Sequence, residues 1–255
     1  MSPDKKSKRQ ERREKIHQQE RRRRLLTIGI ITVVAAFLVF AIVWPQIRPF
    51  AEVVAVESSP PATAERNTAG DPDAPIKIEE FADFQCPFCE RFHEQTQPLL
   101  IQHYVDTGKV LFVHRSMGNF VSQNMGGGRT ESQDAALAAY CAADQGKFWE
   151  MQNTLFANVL GEDIGSFTDR RLQAIAEKVG LDMTAFNSCY NSGEFADQVQ
   201  QDFTDGTAAG VTGTPGFLIT YTANGETKTK LLSGAQPFST FQQELEAILV
   251  EIGAQ

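Results

Sequence analysis

The chain has 255 residues, 42% of them hydrophobic and 22% charged, which leaves room for one generous domain plus extras. Its net charge of −8 conceals an asymmetry: residues 1–50 carry 12 Lys/Arg against 4 Asp/Glu, and the remainder carries 12 against 28. A basic head on an acidic body excludes one shared role for the two parts.

The head ends in "LLTIGIITVVAAFLVFAIVW", residues 25–44, without a charged side chain. As a helix this run would span ~30 Å, the thickness of a bilayer's hydrocarbon core. A signal peptide has a shorter apolar region and a small-residue cleavage site, which "WPQIRPF" does not offer. The run is therefore expected to be an uncleaved transmembrane anchor. The basic cluster directly before it, residues 1–24, is expected on the cytoplasmic side, with everything after Trp44 outside. Topology alone accounts for that cluster, so no nucleic-acid partner is expected, although anionic lipid headgroups suit the same charge. Residues 45–75, rich in Pro, Ala, Ser and Thr toward their end, read as an extracytoplasmic linker with little periodicity. Residues 76–255 are then the folded unit.

Within that unit, "IKIEEFADF" (76–84) reads as a strand that ends just before Cys86. A helix is expected from there, with Pro87 in its first turn, Phe88, Phe92 and Leu99 at near-helical spacing, and a kink at Pro98. "GKVLFVHRS" (108–116) is a second strand, which completes a strand–helix–strand opening. The middle, about 117–209, is helical, and "TDRRLQAIAEKVG" closes on Gly180. "GTPGFLITYT" and "ETKTKLLSG" form a hairpin about Asn224-Gly225, and "PFSTFQQELEAILVEIG" is a final amphipathic helix. The order describes an α/β fold, βαβ…ββα, with an inserted helical subdomain.

The chemistry centres on "CPFC", Cys86 and Cys89. A cysteine at a helix N-terminus is favoured as thiolate by the backbone N–H groups and the helix dipole. Cys86 has that placement, so it is expected to be the attacking thiol and Cys89, one turn on, the resolving thiol. Zinc is the competing use. Cys86, Cys89 and His93 give three ligands, but no clear fourth follows, and no metal is expected. His93 reads as a helix-surface residue, and His103 and His114 have no assignable partner. A static disulfide is the bland alternative.

Three blocks, "GDPDAPIKIEEFADFQCPFC", "AAYCAADQGKFWEMQNTLF" and "GVTGTPGFLI", together resemble the DsbA-like branch of the thioredoxin fold, in that family's order. The resemblance implies a redox-active C-x-x-C faced by a cis-proline loop, here Thr214-Pro215, with the Thr214 backbone free to pair with an extended substrate. From sequence alone Pro215 would be only a turn or strand-start proline. Phe88 would line the approach, or serve simply as helix packing. The family often places a buried acid near the resolving cysteine. Period-two alternation puts Glu80 on one face with Ile76 and Ile78. Glu80 is thus a candidate proton relay for Cys89, the alternative being a strand-end carboxylate reaching solvent. The resemblance also implies that Cys141 and Cys189 staple the helical block; a second redox pair is the alternative.

The resulting expectation is a membrane-tethered protein thiol–disulfide oxidoreductase, an oxidase that donates the Cys86–Cys89 disulfide to exported cysteine-containing proteins. It needs no bound cofactor, and the family implies re-oxidation by a membrane partner of the DsbB or VKOR type. A reductase or isomerase of the same fold is the first rival. A tethered chaperone or binding module with purely structural disulfides is the second.

Overall fold

The structure, a computed structural model, describes residues 8–47, 51–56, 60–124 and 130–254. Parts of the expected tail, linker and insertion (1–7, 48–50, 57–59 and 125–129) lie outside the described residues. The chain divides into two units, Met1–Ala51 and Glu52–Gln255.

The first unit is a single helix, α1 (Lys8–Ile47). Its segment Lys15–Trp44 is long and apolar enough to cross a membrane. Two threonines there turn their hydroxyls back onto the helix, Thr27 to the Arg23 carbonyl and Thr32 to the Ile28 carbonyl, each at 2.9 Å. In lipid, polar groups have to be satisfied within the protein in this way.

The second unit runs β1 (Ala64–Glu65), β2 (Thr68–Ala69), β3 (Ile76–Ala82), α2 (Pro87–Gln95), α3 (Gln97–Leu100), a π-helical turn (Ile101–Val105) and β4 (Val110–Ser116). It continues through α4 (Phe120–Asn124), α5 (Glu131–Ala143), α6 (Phe148–Phe156), α7 (Asp169–Val179), α8 (Met183–Ser192) and α9 (Ala196–Ala208). It closes with β5 (Gly216–Ala223), β6 (Glu226–Ser233) and α10 (Phe238–Ile252). The strands form one sheet in the order β1-β2-β4-β3-β5-β6. β3 is parallel to β4 (Ile78 beside Phe112) and antiparallel to β5 (Ile78 beside Ile219).

As a central strand, β3 is covered on both faces, so Glu79 and Glu80 are both buried. Behind the cysteines, α2 sets Phe92 against Phe217 of β5 and Phe241 of α10, with ring centroids 4.5 and 5.6 Å apart. The helical block docks closely: a Cβ added at Gly206 of α9 would lie 2.6 Å from Met117 Sδ and 2.7 Å from Phe81 Cδ1. The β5–β6 turn uses Asn224 (φ 54°) and Gly225 (φ 78°), the left-handed pair that the Asn-Gly dipeptide favours.

Two expectations are corrected. The segment before residue 76 is not an irregular linker throughout. β2 pairs with β4 (Ala69 beside Phe112), Val53 is buried, and Asn158 clamps Val54, accepting its N–H and donating to its carbonyl, both at 2.8 Å. Edge pairing by two-residue strands uses backbone groups and leaves no periodicity to read. The helix after Cys86 also does not run kinked through to Leu99. It stops at Gln95, and α3 restarts with Pro98 in its first turn. Phe92 is buried, while Phe88 and Leu99 are exposed.

Candidate active site

β3 delivers the chain into a turn, Asp83-Phe84-Gln85-Cys86, that feeds α2. The turn is closed by the Cys86 N–H donating to the Asp83 carbonyl at 3.0 Å. Cys86 sits at the N-cap in extended conformation (φ −74°, ψ 119°) with Pro87 following. The free N–H groups of the first helical turn thus point at its sulfur.

Cys86 and Cys89 are both free and buried, Cys86 with 6% of its surface exposed. The Cys86 thiol has its pKa lowered from 9.0 to about 6, first by a hydrogen bond from the Cys89 thiol, with help from the Thr214 side chain and the N–H groups of Cys89 and Phe88, and against the effect of burial. The Cys89 thiol is pushed the other way, first by burial, then by its bond to Cys86 and by the negative charges of Cys86 and Glu80. At neutral pH the pair is therefore a thiolate above a thiol. The Thr214–Pro215 peptide bond is cis, and the Thr214 carbonyl lies 3.3 Å from Cys86 Sγ, where it accepts from the protonated form. Sequence positions 128 apart thus meet at one sulfur. Phe88, 53% exposed, stands at the rim under the Arg91 guanidinium, 5.1 Å from its ring centroid.

Glu80 is 1% exposed and does not reach solvent. Its Oε2 lies 3.2 Å from Nδ1 of His114 on β4, a partner that the sequence did not suggest. His114 is held between Phe84 and Phe148. His93 is corrected from a surface residue to a half-buried one: it stacks on Phe156, and its Nδ1 is 2.9 Å from Gln97 Oε1. Burial lowers its pKa. His103 packs against Phe238.

Two residues absent from the sequence reading complete the site. Asp83, 1% exposed, accepts from the Gln85 N–H through Oδ1 and from the Val121 N–H through Oδ2, each at 2.9 Å. Burial raises its pKa from 3.8 to about 7, and the Cys86 charge adds to the rise. Gln85, equally buried, donates to the Ser122 and Ser132 hydroxyls (3.1 and 2.8 Å) and accepts the Asp163 N–H at 2.7 Å. It thereby ties the cysteine turn to α4, α5 and the loop after α6. The available signal was position: two polar residues in a strand-to-helix turn, where an interior carboxamide needs several partners.

Cys141 on α5 and Cys189 on α8 are joined by a disulfide with Cα atoms 5.9 Å apart.

The family model described as Thioredoxin matches residues 63–233, more than half of the chain. The chain belongs to the thioredoxin family. It is 31% identical over 150 residues to Na(+)/H(+) antiporter NhaA 3 of Salinispora tropica, a match covering 59% of this chain and 21% of that protein. The chain spans only 21% to 29% of the length of such antiporter relatives. It is 26% identical over 160 residues to the probable disulfide bond formation protein D of Bacillus anthracis, covering 62% of this chain and 71% of that one. Among solved structures it is similar to α-DsbA1 of Wolbachia pipientis, with a TM-score of 0.61 at 23% identity over 73% of this chain and 92% of the other. At that identity the likeness concerns the thioredoxin fold alone.

Proposed function

We propose that the chain is a membrane-tethered, extracytoplasmic protein thiol–disulfide oxidoreductase that works as an oxidase through Cys86 and Cys89. The observation that carries this is the placement of two free, buried cysteines at the start of α2, Cys86 at the N-cap with its Sγ 3.3 Å from the Thr214 carbonyl, an arrangement that favours Cys86 as thiolate and holds Cys89 as thiol. The basic flank before the apolar helix and the relative named as a disulfide bond formation protein support the location and the direction.

In the oxidised enzyme, a substrate thiolate attacks Sγ of Cys86. The Cys86–Cys89 bond breaks, and Cys89 leaves and takes a proton. A second substrate thiolate then attacks the substrate sulfur of the mixed disulfide and expels Cys86 as thiolate. Two electrons pass from two substrate thiols to the enzyme, and a substrate disulfide forms. The low pKa of Cys86 makes it a good leaving group in the second step. At pH 7, lowering that pKa from 9.0 to about 6 favours the reduced enzyme by about 1.4 kcal/mol, or roughly 30 mV toward oxidising power. The contribution is lost as pH falls through about 6. Cys89, with its raised pKa, is a poor leaving group in the first step and needs a proton donor. Glu80, close enough for its charge to act on Cys89, is proposed to take up the proton that the substrate thiol releases and to pass it on to Cys89. Thr214 is proposed to pair with the substrate backbone beside cis-Pro215, with Phe88 at the rim of the approach. Cys141–Cys189 is proposed as a structural staple, and a membrane redox partner would re-oxidise Cys86–Cys89.

The test is equilibration of the full-length chain in detergent with glutathione, with thiol trapping of mixed disulfides in whole cells. A potential well above the ~−270 mV of a thioredoxin supports donation, and one at or below it turns the same site into a reductase. Failure to trap any mixed disulfide through Cys86 leaves only the tethered binding module.

A further inference from the structure

Each of the other buried acids around the sheet has a cationic or imidazole partner. Glu80 has His114, Glu79 and Asp202 share Arg115, and Glu131 feels Arg171. Asp83 differs. Its partners are the N–H groups of Gln85 and Val121 and the hydroxyl of Ser132, and among the described residues no cationic side chain contacts it. It also belongs to the same closed turn as Cys86, whose N–H its own carbonyl accepts. Two groups in one buried turn thus compete to be negative, and among the described residues no cationic side chain acts on either.

We propose that Asp83 is a redox-linked proton site: its carboxylate takes up a proton when the Cys86–Cys89 disulfide is reduced and returns it when the disulfide re-forms. The balance is complete. Two substrate thiols bring two electrons and two protons. The electrons cleave the enzyme disulfide, one proton goes to Cys89, and the other goes to Asp83 as Cys86 becomes thiolate. The products are a substrate disulfide, a thiolate, a thiol and a carboxylic acid. The Asp83 backbone N–H donates to the Cys89 sulfur, whereas its carboxylate acts on Cys86 through charge. A carboxyl that titrates near neutrality beside a thiolate is poised for this exchange. The other titratable groups around it are few. α5 contributes Glu131, bonded to the Gly165 and Phe167 N–H groups, and the loop after α6 contributes Asp163, bonded to Gln85. Helix α4 carries no ionisable side chain.

The inference rests on Cys86–Cys89 being a redox couple, and the experiment separates the two. The full-length chain in detergent is equilibrated with glutathione across the neutral range, as wild type, Asp83→Asn and Asp83→Ser. Without a second proton site, the equilibrium constant for reduction rises about tenfold per pH unit once Cys86 ionises. The wild type is expected to stay level until Asp83 no longer takes the proton, and both variants to begin rising at the ionisation of Cys86. Superimposable profiles would overturn the proposal and leave the redox function standing. A chain that glutathione neither oxidises nor reduces would overturn both. Should the variants fail to fold, the wild type decides alone. Reduction should raise an infrared carboxylic-acid band that shifts when aspartate, but not glutamate, is isotopically labelled. Its absence would overturn the proposal.

Discussion

Replacing Cys89 by Ala removes the donor that contributes most to the Cys86 thiolate. A hydrogen bond to a charged group contributes about 1.5–3 kcal/mol, which corresponds to about one to two pKa units. From a starting value of about 6, the Cys86 midpoint in Cys89→Ala should rise to between about 7 and 8. Thiolate at pH 7 would fall from about 90% of the population to between about half and a tenth. The alkylation rate at a single pH is a poor readout, because a thiolate becomes intrinsically more nucleophilic as its pKa rises and partly offsets its own scarcity. The assay is therefore the full pH titration of thiolate absorbance, or the midpoint of the alkylation profile, in the reduced full-length chain. Above its midpoint the wild-type Cys86 is reactive, and below it reactivity is lost, while Cys89 stays unlabelled throughout. A wild-type midpoint above about 8, or a Cys89→Ala midpoint unmoved from the wild type, would refute the assignment of roles within the pair.

Two further outcomes are expected. Cys141→Ser with Cys189→Ser opens a loop spanning 48 residues, which should cost ~4 kcal/mol of unfolding free energy in the chain-entropy account. A change below about 1 kcal/mol in denaturant titration would mean that the staple contributes little, and unchanged redox exchange in the same variant would separate it from Cys86–Cys89. Glu80→Gln should slow substrate oxidation by up to ~10²-fold, the low end for a positioned proton-transfer group, and flatten its pH dependence. If stopped-flow kinetics showed the same rate and pH profile as wild type, Glu80 would be a buried partner for His114 and nothing more.

The placement of Cys86 and Cys89 at a helix start and the order of the main elements were legible because they depend on local patterns: a cysteine spacing, apolar runs of helical or alternating period, an Asn-Gly turn. What stayed hidden depends on contacts distant in sequence. Glu80 could be placed on a buried face from alternation, but its partner lies 34 positions away on the neighbouring strand. Asp83 and Gln85 look like ordinary turn residues until α4, α5 and the loop after α6 close over them. The hairpin at residues 64–69 is too short to carry a side-chain pattern. The stop at Gln95 shows Pro98 acting as the start of a helix where spacing alone suggested a continuation.

The ends of the sheet carry a consequence for a protein that would handle unfolded clients. At one border β1 offers only two residues of backbone, too little to template an incoming strand. At the other, β6 reads "ETKTKLLS", with Lys228 and Lys230 engaged by Glu251 and Glu244 of α10. Charged borders of this kind discourage strand addition and the aggregation that follows it. A client chain searching for backbone partners would find little purchase at either margin, which would leave it free for the pairing proposed at Thr214, beside the Cys86 sulfur.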